Sequence, residues 1–171
     1  MLIIHQLLHD TLESIELLHK NDRNTQALIL LYSGIDTLAW LGTPGDTTRT
    51  VFRQWVDQYL LPGTSLGCSS DDLYSARCGL LHTHAAESAS TATGSARQIW
   101  YWTGQQSQKL LQYEVGNRTD VVLVRFSDLV TAFVQGAERF IADLQKDAPR
   151  AAHAQEKAPL WLAWVPAPPA A

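Results

Sequence analysis

The chain has 171 residues, 46% of them hydrophobic and six of them tryptophan, which is enough for one substantial core and too little for a second domain. Charged residues make up 18% and the formal net charge is -4, so no broad basic surface exists to hold DNA nonspecifically, and any RNA contact has to be local. The longest apolar run, 27–32, is far short of a membrane span, no basic leader with a cleavage site follows Met1, and two cysteines, Cys68 and Cys78, make no disulfide framework, so a cytoplasmic protein is expected.

Ile3, Ile4, Leu7, Leu8, Leu12, Ile15 and Leu18 recur every three or four residues and predict an amphipathic helix over 2–20. Asn21-Asp22 interrupts it. A second helix over 23–41 is apolar around most of its circumference, as in a helix buried on several sides. Within it stands Asp36, a carboxylate that either receives a buried cation or is solvated at a helix end. Pro44-Gly45-Asp46 turns the chain, with Asp46 the expected N-cap of a third helix whose pairs Val51/Phe52, Trp55/Val56 and Tyr59/Leu60 form a stripe ended by Pro62-Gly63. Ser70 or Asp71 is expected to cap a fourth helix carrying Arg77, His82 and His84.

The small residues of 88–95 have no periodicity and are expected to form a loop. Arg97–Thr103, Lys109–Val115 and Asp120–Phe126 read as strands with turns at Gly104 and Gly116, a three-stranded antiparallel meander. Trp100 and Trp102 share one side of the first strand, a face able to stack bases, but are expected as core beneath a last helix. That helix is capped by Ser127 and carries Leu129, Phe133, Ala137, Phe140, Ile141 and Leu144 on one face. The expected fold is α+β, mainly α: an up-down bundle of four to five helices with a small antiparallel sheet at about 97–126, in a single domain over 1–148. An Ala/Pro-rich tail, 149–171, follows, and its Trp161 and Trp164 need a surface to cover them.

The chemistry concentrates on the fourth helix. At about 100° per residue, Arg77 falls inside the apolar stripe of Leu73, Ala76, Leu80 and Leu81. A permanently charged guanidinium there costs several kcal/mol unless a carboxylate or phosphate receives it, and Asp36 is the candidate carboxylate. Histidine titrates near neutrality and suits proton transfer, while the arginine fork binds two phosphate oxygens, a combination able to cleave RNA without metal. Five residues are about 140° on a straight helix, so Arg77 and His82 converge only if the helix bends or ends near Gly79, or if two subunits combine. His84 lies about 20° from the direction of Arg77 and is the better same-face partner. A structural reading of these residues pairs Arg77 with Asp36 and lets His82 cap helix carbonyls. Cys68, Cys78, His82 and His84 lack a Cys-x-x-Cys pair and Cys68 lies in a separate loop, so no metal or cofactor is expected. His5, His9 and His19 are scattered on the first helix without assignment.

Arg77-Cys78-Gly79-Leu80-Leu81-His82 resembles the motif of the HEPN superfamily, arginine and histidine separated by four to six residues, and its place in the fourth helix of 1–87 resembles that family's bundle. The resemblance implies a homodimer whose motifs face each other across a two-fold axis. It also implies an endoribonuclease with Arg77 and His82 catalytic, acting on RNA, and an antitoxin-type protein partner. Asp36, His84 and Cys78 are the supporting residues. Active members often carry a polar residue directly after the arginine, and here Cys78 stands there. That departure and the acidic balance keep a noncatalytic nucleotide- or protein-binding dimerisation module open, beside a helical scaffold with a structural Arg77. Residues from 97 onward lie outside the resemblance.

Overall fold

The computed structural model describes residues 2–83, 88–104, 115–116 and 118–160, with backbone alone at 2, 82 and 83. Helix α1, Leu2–Lys20, buries Ile4, Leu7 and Ile15. It ends where Asp22 turns left-handed (φ 58°) and the Arg23 N–H returns to the Leu18 carbonyl at 2.9 Å, a closure that absorbs a helix-end carbonyl. Helix α2, Asn24–Leu41, is the expected multiply buried helix, with Leu31, Tyr32, Ile35 and Leu38 at the centre of the core.

Helix α3, Arg49–Trp55, passes directly into a wide π turn, Val56–Leu60. Its cap is Thr48, whose hydroxyl accepts the Val51 N–H at 3.3 Å, and not Asp46; the chain enters helical geometry later than the turn at Gly45 suggests. Helix α4, Ser70–Thr83, is likewise capped outside the expected pair. Ser69 accepts the Asp72 N–H at 3.2 Å and the Asp72 carboxylate accepts the Ser69 N–H at 2.9 Å, a reciprocal capping box. Ser70 instead donates to Asp57 at 3.0 Å. The small-residue segment expected as a loop contains a one-turn helix, α5, Ala89–Ala92, made by a Ser88/Thr91 capping box and not by apolar periodicity.

Strands β1, Gln98–Trp102, and β2, Val121–Arg125, form a two-stranded parallel sheet among the described residues, from Gln98 beside Val121 to Trp102 beside Arg125. This overturns the antiparallel meander. In a meander the first and third strands also run the same way, so the directions expected of these two segments hold, but they lie side by side with no strand between them. The connection 103–120 is long enough for the crossover that parallel pairing needs. The expected middle strand lies outside the described residues except for Val115, which is not in a strand. β1 lies on α4 and turns Ile99 and Tyr101 toward the core, leaving the Trp100 and Trp102 face outward. The expected core role of those tryptophans is therefore wrong; Arg118 and Arg125 cover their rings at 5.2 and 5.1 Å. Tyr101 is the residue that can use the interior, because its hydroxyl meets that of Tyr32 at 2.5 Å.

Helix α6, Phe126–Lys146, follows β2 without a break, so the expected cap Ser127 lies inside its first turn. It buries Leu129, Phe133, Ala137, Phe140, Ile141 and Leu144. At Gly136 it comes so near the π turn that a Cβ would stand 3.1 Å from the Tyr59 carbonyl oxygen. Residues 148–157, in the Ala/Pro-rich stretch, form helix α7, Ala148–Lys157, capped by Asp147 and followed by a 3-10 turn, Ala158–Leu160. Lys157 Nζ donates to the carbonyls of Trp40, Thr43 and Gly45 at 3.1, 2.6 and 2.9 Å, and His153 Nε2 donates to Thr43 at 2.9 Å. These contacts dock α7 on the C-terminal end of α2, where positive charge is favoured. Trp161 and Trp164 lie outside the described residues. No helix among the described residues is long and apolar enough to cross a membrane.

Candidate functional site

α2 and α4 pack so that two residues out of place in their helices meet. Arg77 Nε donates to Asp36 Oδ2 at 2.7 Å, joining the charge in the apolar stripe of α4 to the carboxylate in apolar α2. The two side chains are 21% and 18% exposed, so the pair stands at the edge of the core. It faces a pocket of about 360 Å3 lined by Asp36, Thr37, Trp40, Thr47, Arg77 and Leu160. Burial acts to weaken the guanidinium's hold on its proton, but Asp36, with Cys78 adding to it, more than offsets this, and Arg77 stays above its ordinary range and charged.

Tyr74 lies one turn before Arg77. Its ring has the Arg77 guanidinium carbon at 6.0 Å, that of Arg49 at 5.6 Å, and the Phe52 ring edge-on at 5.6 Å. Burial, and next the hydrogen bond with Cys78, push the Tyr74 phenol up. The Cys78 sulfur also stands 4.0 Å from Arg77 Nη1, so the residue directly after the arginine touches both it and the tyrosine. Arg49 and Arg53 divide a second carboxylate, Asp71, with one oxygen each at 2.9 Å.

A second cluster sits at the start of α4. The Asp72 side chain is 3% exposed and accepts from the backbone N–H of Ser69 and of Arg97, and from Arg97 Nε and Nη2 at 3.2 and 2.7 Å. Arg97 Nη2 also reaches the Gly67 carbonyl at 2.8 Å. Burial alone would raise the Asp72 carboxyl, but the hydrogen bonds from Ser69 and Arg97 outweigh it and hold it below the usual carboxylate range. Burial, and then the charge of Asp72, push the nearby Cys68 thiol up to about 12, so Cys68 is a protonated small hydrophobe and not a nucleophile. Burial above all raises the Tyr32 and Tyr101 phenols in the same cluster.

The predicted site residues Arg77, Asp36 and Cys78 are thus brought together. His82 belongs to the last turn of α4, with its side chain outside the described residues, and His84 lies outside them as well. α4 runs unbroken through Gly79 to Thr83, so a five-residue spacing leaves Arg77 and His82 about 140° apart within one chain. Among the described residues, the histidine, cysteine and acidic groups near enough to share an ion are His9, Asp10 and Glu13, all exposed on one face of α1. Sequence reasoning missed Trp40, Thr47, Arg49, Arg53, Tyr74 and Leu160. Arg49 and Arg53 do carry a readable signal, a cationic pair four residues apart on a short helix. Comparison with known protein families, characterised proteins and solved structures gives no match.

Proposed function

We propose that this chain is a HEPN-like, metal-independent endoribonuclease that works as a cytoplasmic homodimer, with an antitoxin-type protein as its natural partner. Arg77 binds the scissile phosphate, His82 moves the protons, and Asp36 is a positioning residue. One observation carries this most: Arg77 is fixed by a carboxylate at the wall of a pocket large enough for a phosphate and part of a nucleotide. An arginine serving structure alone would be sealed against Asp36 with no cleft. Anchoring through Nε aims the guanidinium while the charge remains, which suits stabilisation of a phosphate whose negative charge grows during 2'-hydroxyl attack. The unbroken α4 favours a two-fold dimer, because five residues along a straight helix separate Arg77 and His82 of one chain by about 140°, and a second copy brings a second histidine.

A second reading is favoured by one feature. Asp36 already offsets the charge of Arg77 and Cys78 stands beside it, an arrangement also suited to a noncatalytic module that only binds nucleotide. Incubation with single-stranded RNA in the presence of a chelator separates the two. The nuclease releases products ending in a cyclic phosphate, and Arg77→Ala and His82→Ala each abolish cutting. Mixing the two variants restores part of the activity through hybrid dimers. Wild-type protein that binds nucleotide but leaves RNA intact supports the noncatalytic module instead.

A further inference from the structure

We propose that Arg49 and Arg53 form a second phosphate subsite, which grips the neighbouring nucleotide of a single RNA strand as it leaves the Arg77 pocket. This rests on reading that pocket as an RNA site. The two places are joined physically. Thr47 lines the pocket and Arg49 begins the helix two residues later, while the Arg49 and Arg77 guanidinium groups both lie against the Tyr74 ring, at 5.6 and 6.0 Å. Tyr74 is half-buried against Phe52, which holds this shared contact in place.

The way Asp71 is shared sets this cluster apart from the other arginine pairs. Arg118 meets Asp120 through two bonds, and Arg97 saturates Asp72; in each case one guanidinium occupies one carboxylate. Asp71 instead gives one oxygen to Arg49 and the other to Arg53, leaving two guanidinium groups with one negative charge between them. Those side chains are 48% and 39% exposed, so a phosphate can reach both. Counting the groups in direct ion-pair contact, Arg49 and Arg53 share Asp71 alone, a positive excess of one on a chain of net charge -4. On an otherwise acidic protein, such an excess determines where a polyanion lands. A phosphate accepts from both guanidinium groups at once, which a single carboxylate bridging them already does on a smaller scale.

The test is equilibrium binding of a short single-stranded oligoribonucleotide, made uncleavable by 2'-O-methyl groups, at several salt concentrations. Arg49→Ala/Arg53→Ala lowers affinity by about tenfold, since a charge-assisted phosphate contact is lost. The slope of log K against log salt falls by about 0.7 for the one phosphate released. Binding of a mononucleotide, which fills only the Arg77 pocket, is unchanged. Asp71→Asn, which frees both arginines, tightens the oligonucleotide; weakening by both Asp71→Asn and the double variant would show a purely structural triad and overturn the subsite. So would unchanged affinity and slope in the double variant, or wild-type protein that does not hold the oligonucleotide. Failure of the nuclease reading shows separately: tight, Arg49-dependent binding without any cutting of unmodified RNA keeps the subsite and removes the catalysis.

Discussion

Two of the aspartate–arginine pairs to which α4 contributes differ in everything except their chemistry. At its first turn Asp72 is 3% exposed, and its oxygens are taken by two backbone N–H groups and the Arg97 guanidinium, an arrangement that pins the start of β1 to the helix. Further along, Arg77 meets an Asp36 that is 18% exposed, and the pair lines a pocket. A buried charge justified by stability is surrounded by donors until nothing can approach it, whereas a charge retained for binding stays within reach of a ligand. On that contrast the Asp72–Arg97 pair is structural, and the Asp36–Arg77 pair is the one we propose as functional.

The contrast breaks first on stability. Asp72→Ala strips the acceptor from buried donors and should cost about 3 kcal/mol in urea unfolding, the lower part of the range for breaking a buried pair, because Arg97 is partly solvated. A loss below about 1 kcal/mol would show that the network does not hold the sheet. Asp36→Asn should cost less, about 1 to 2 kcal/mol, since water reaches both partners and takes up part of the lost interaction. If it costs more than Asp72→Ala, the assignment of roles is reversed.

Acid sharpens the same difference. The Asp72 carboxyl is held below its ordinary value, so its stabilising contribution is complete above the unfolded carboxyl's pKa of about 3.9 and is lost as pH falls through the lower folded value. The stability gap between wild type and Asp72→Ala, measured by urea midpoints from neutral pH downward, should therefore stay constant to about pH 5 and narrow below about pH 4. A gap that widens on acidification would contradict the sign. The smallest effect is expected at Ser69→Ala, which removes the hydroxyl side of the capping box but leaves the Ser69 N–H on Asp72, for a loss of about 1 kcal/mol.

The Asp36–Arg77 pair was easier to read from the sequence than the Asp72–Arg97 pair, for a physical reason. Asp36 and Arg77 each violate the apolar pattern of a long helix, so each asks for a partner, and they answer each other. Asp72 violates nothing, because an acid in the first turn of a helix is ordinary, and Arg97 looks like the polar start of a strand. The helices α1, α2 and α6 were legible because burial imposes their period, while the caps moved by a residue or two because Thr48 and Ser69 compete with neighbours of equal propensity. Alternation along β1 showed that Trp100 and Trp102 share a face but not that this face looks outward, a choice made by the Tyr101 hydroxyl finding Tyr32. Strand adjacency was illegible for a similar reason: direction is local, whereas which strand lies beside which depends on the rest of the fold. The pocket could not be read at all, because Trp40, Thr47 and Leu160 come from three separate segments.

The most direct measurement is RNA cutting per folded molecule by Arg77→Ala and Arg97→Ala, side by side in chelator, at a temperature where circular dichroism shows both folded. Arg77→Ala is expected to keep most of its stability and lose cutting. Arg97→Ala is expected to melt earlier and, while folded, to cut like wild type. If Arg77→Ala cuts at the wild-type rate, or if both variants lose activity only in proportion to the fraction unfolded, the Arg77 pocket is not where this protein acts.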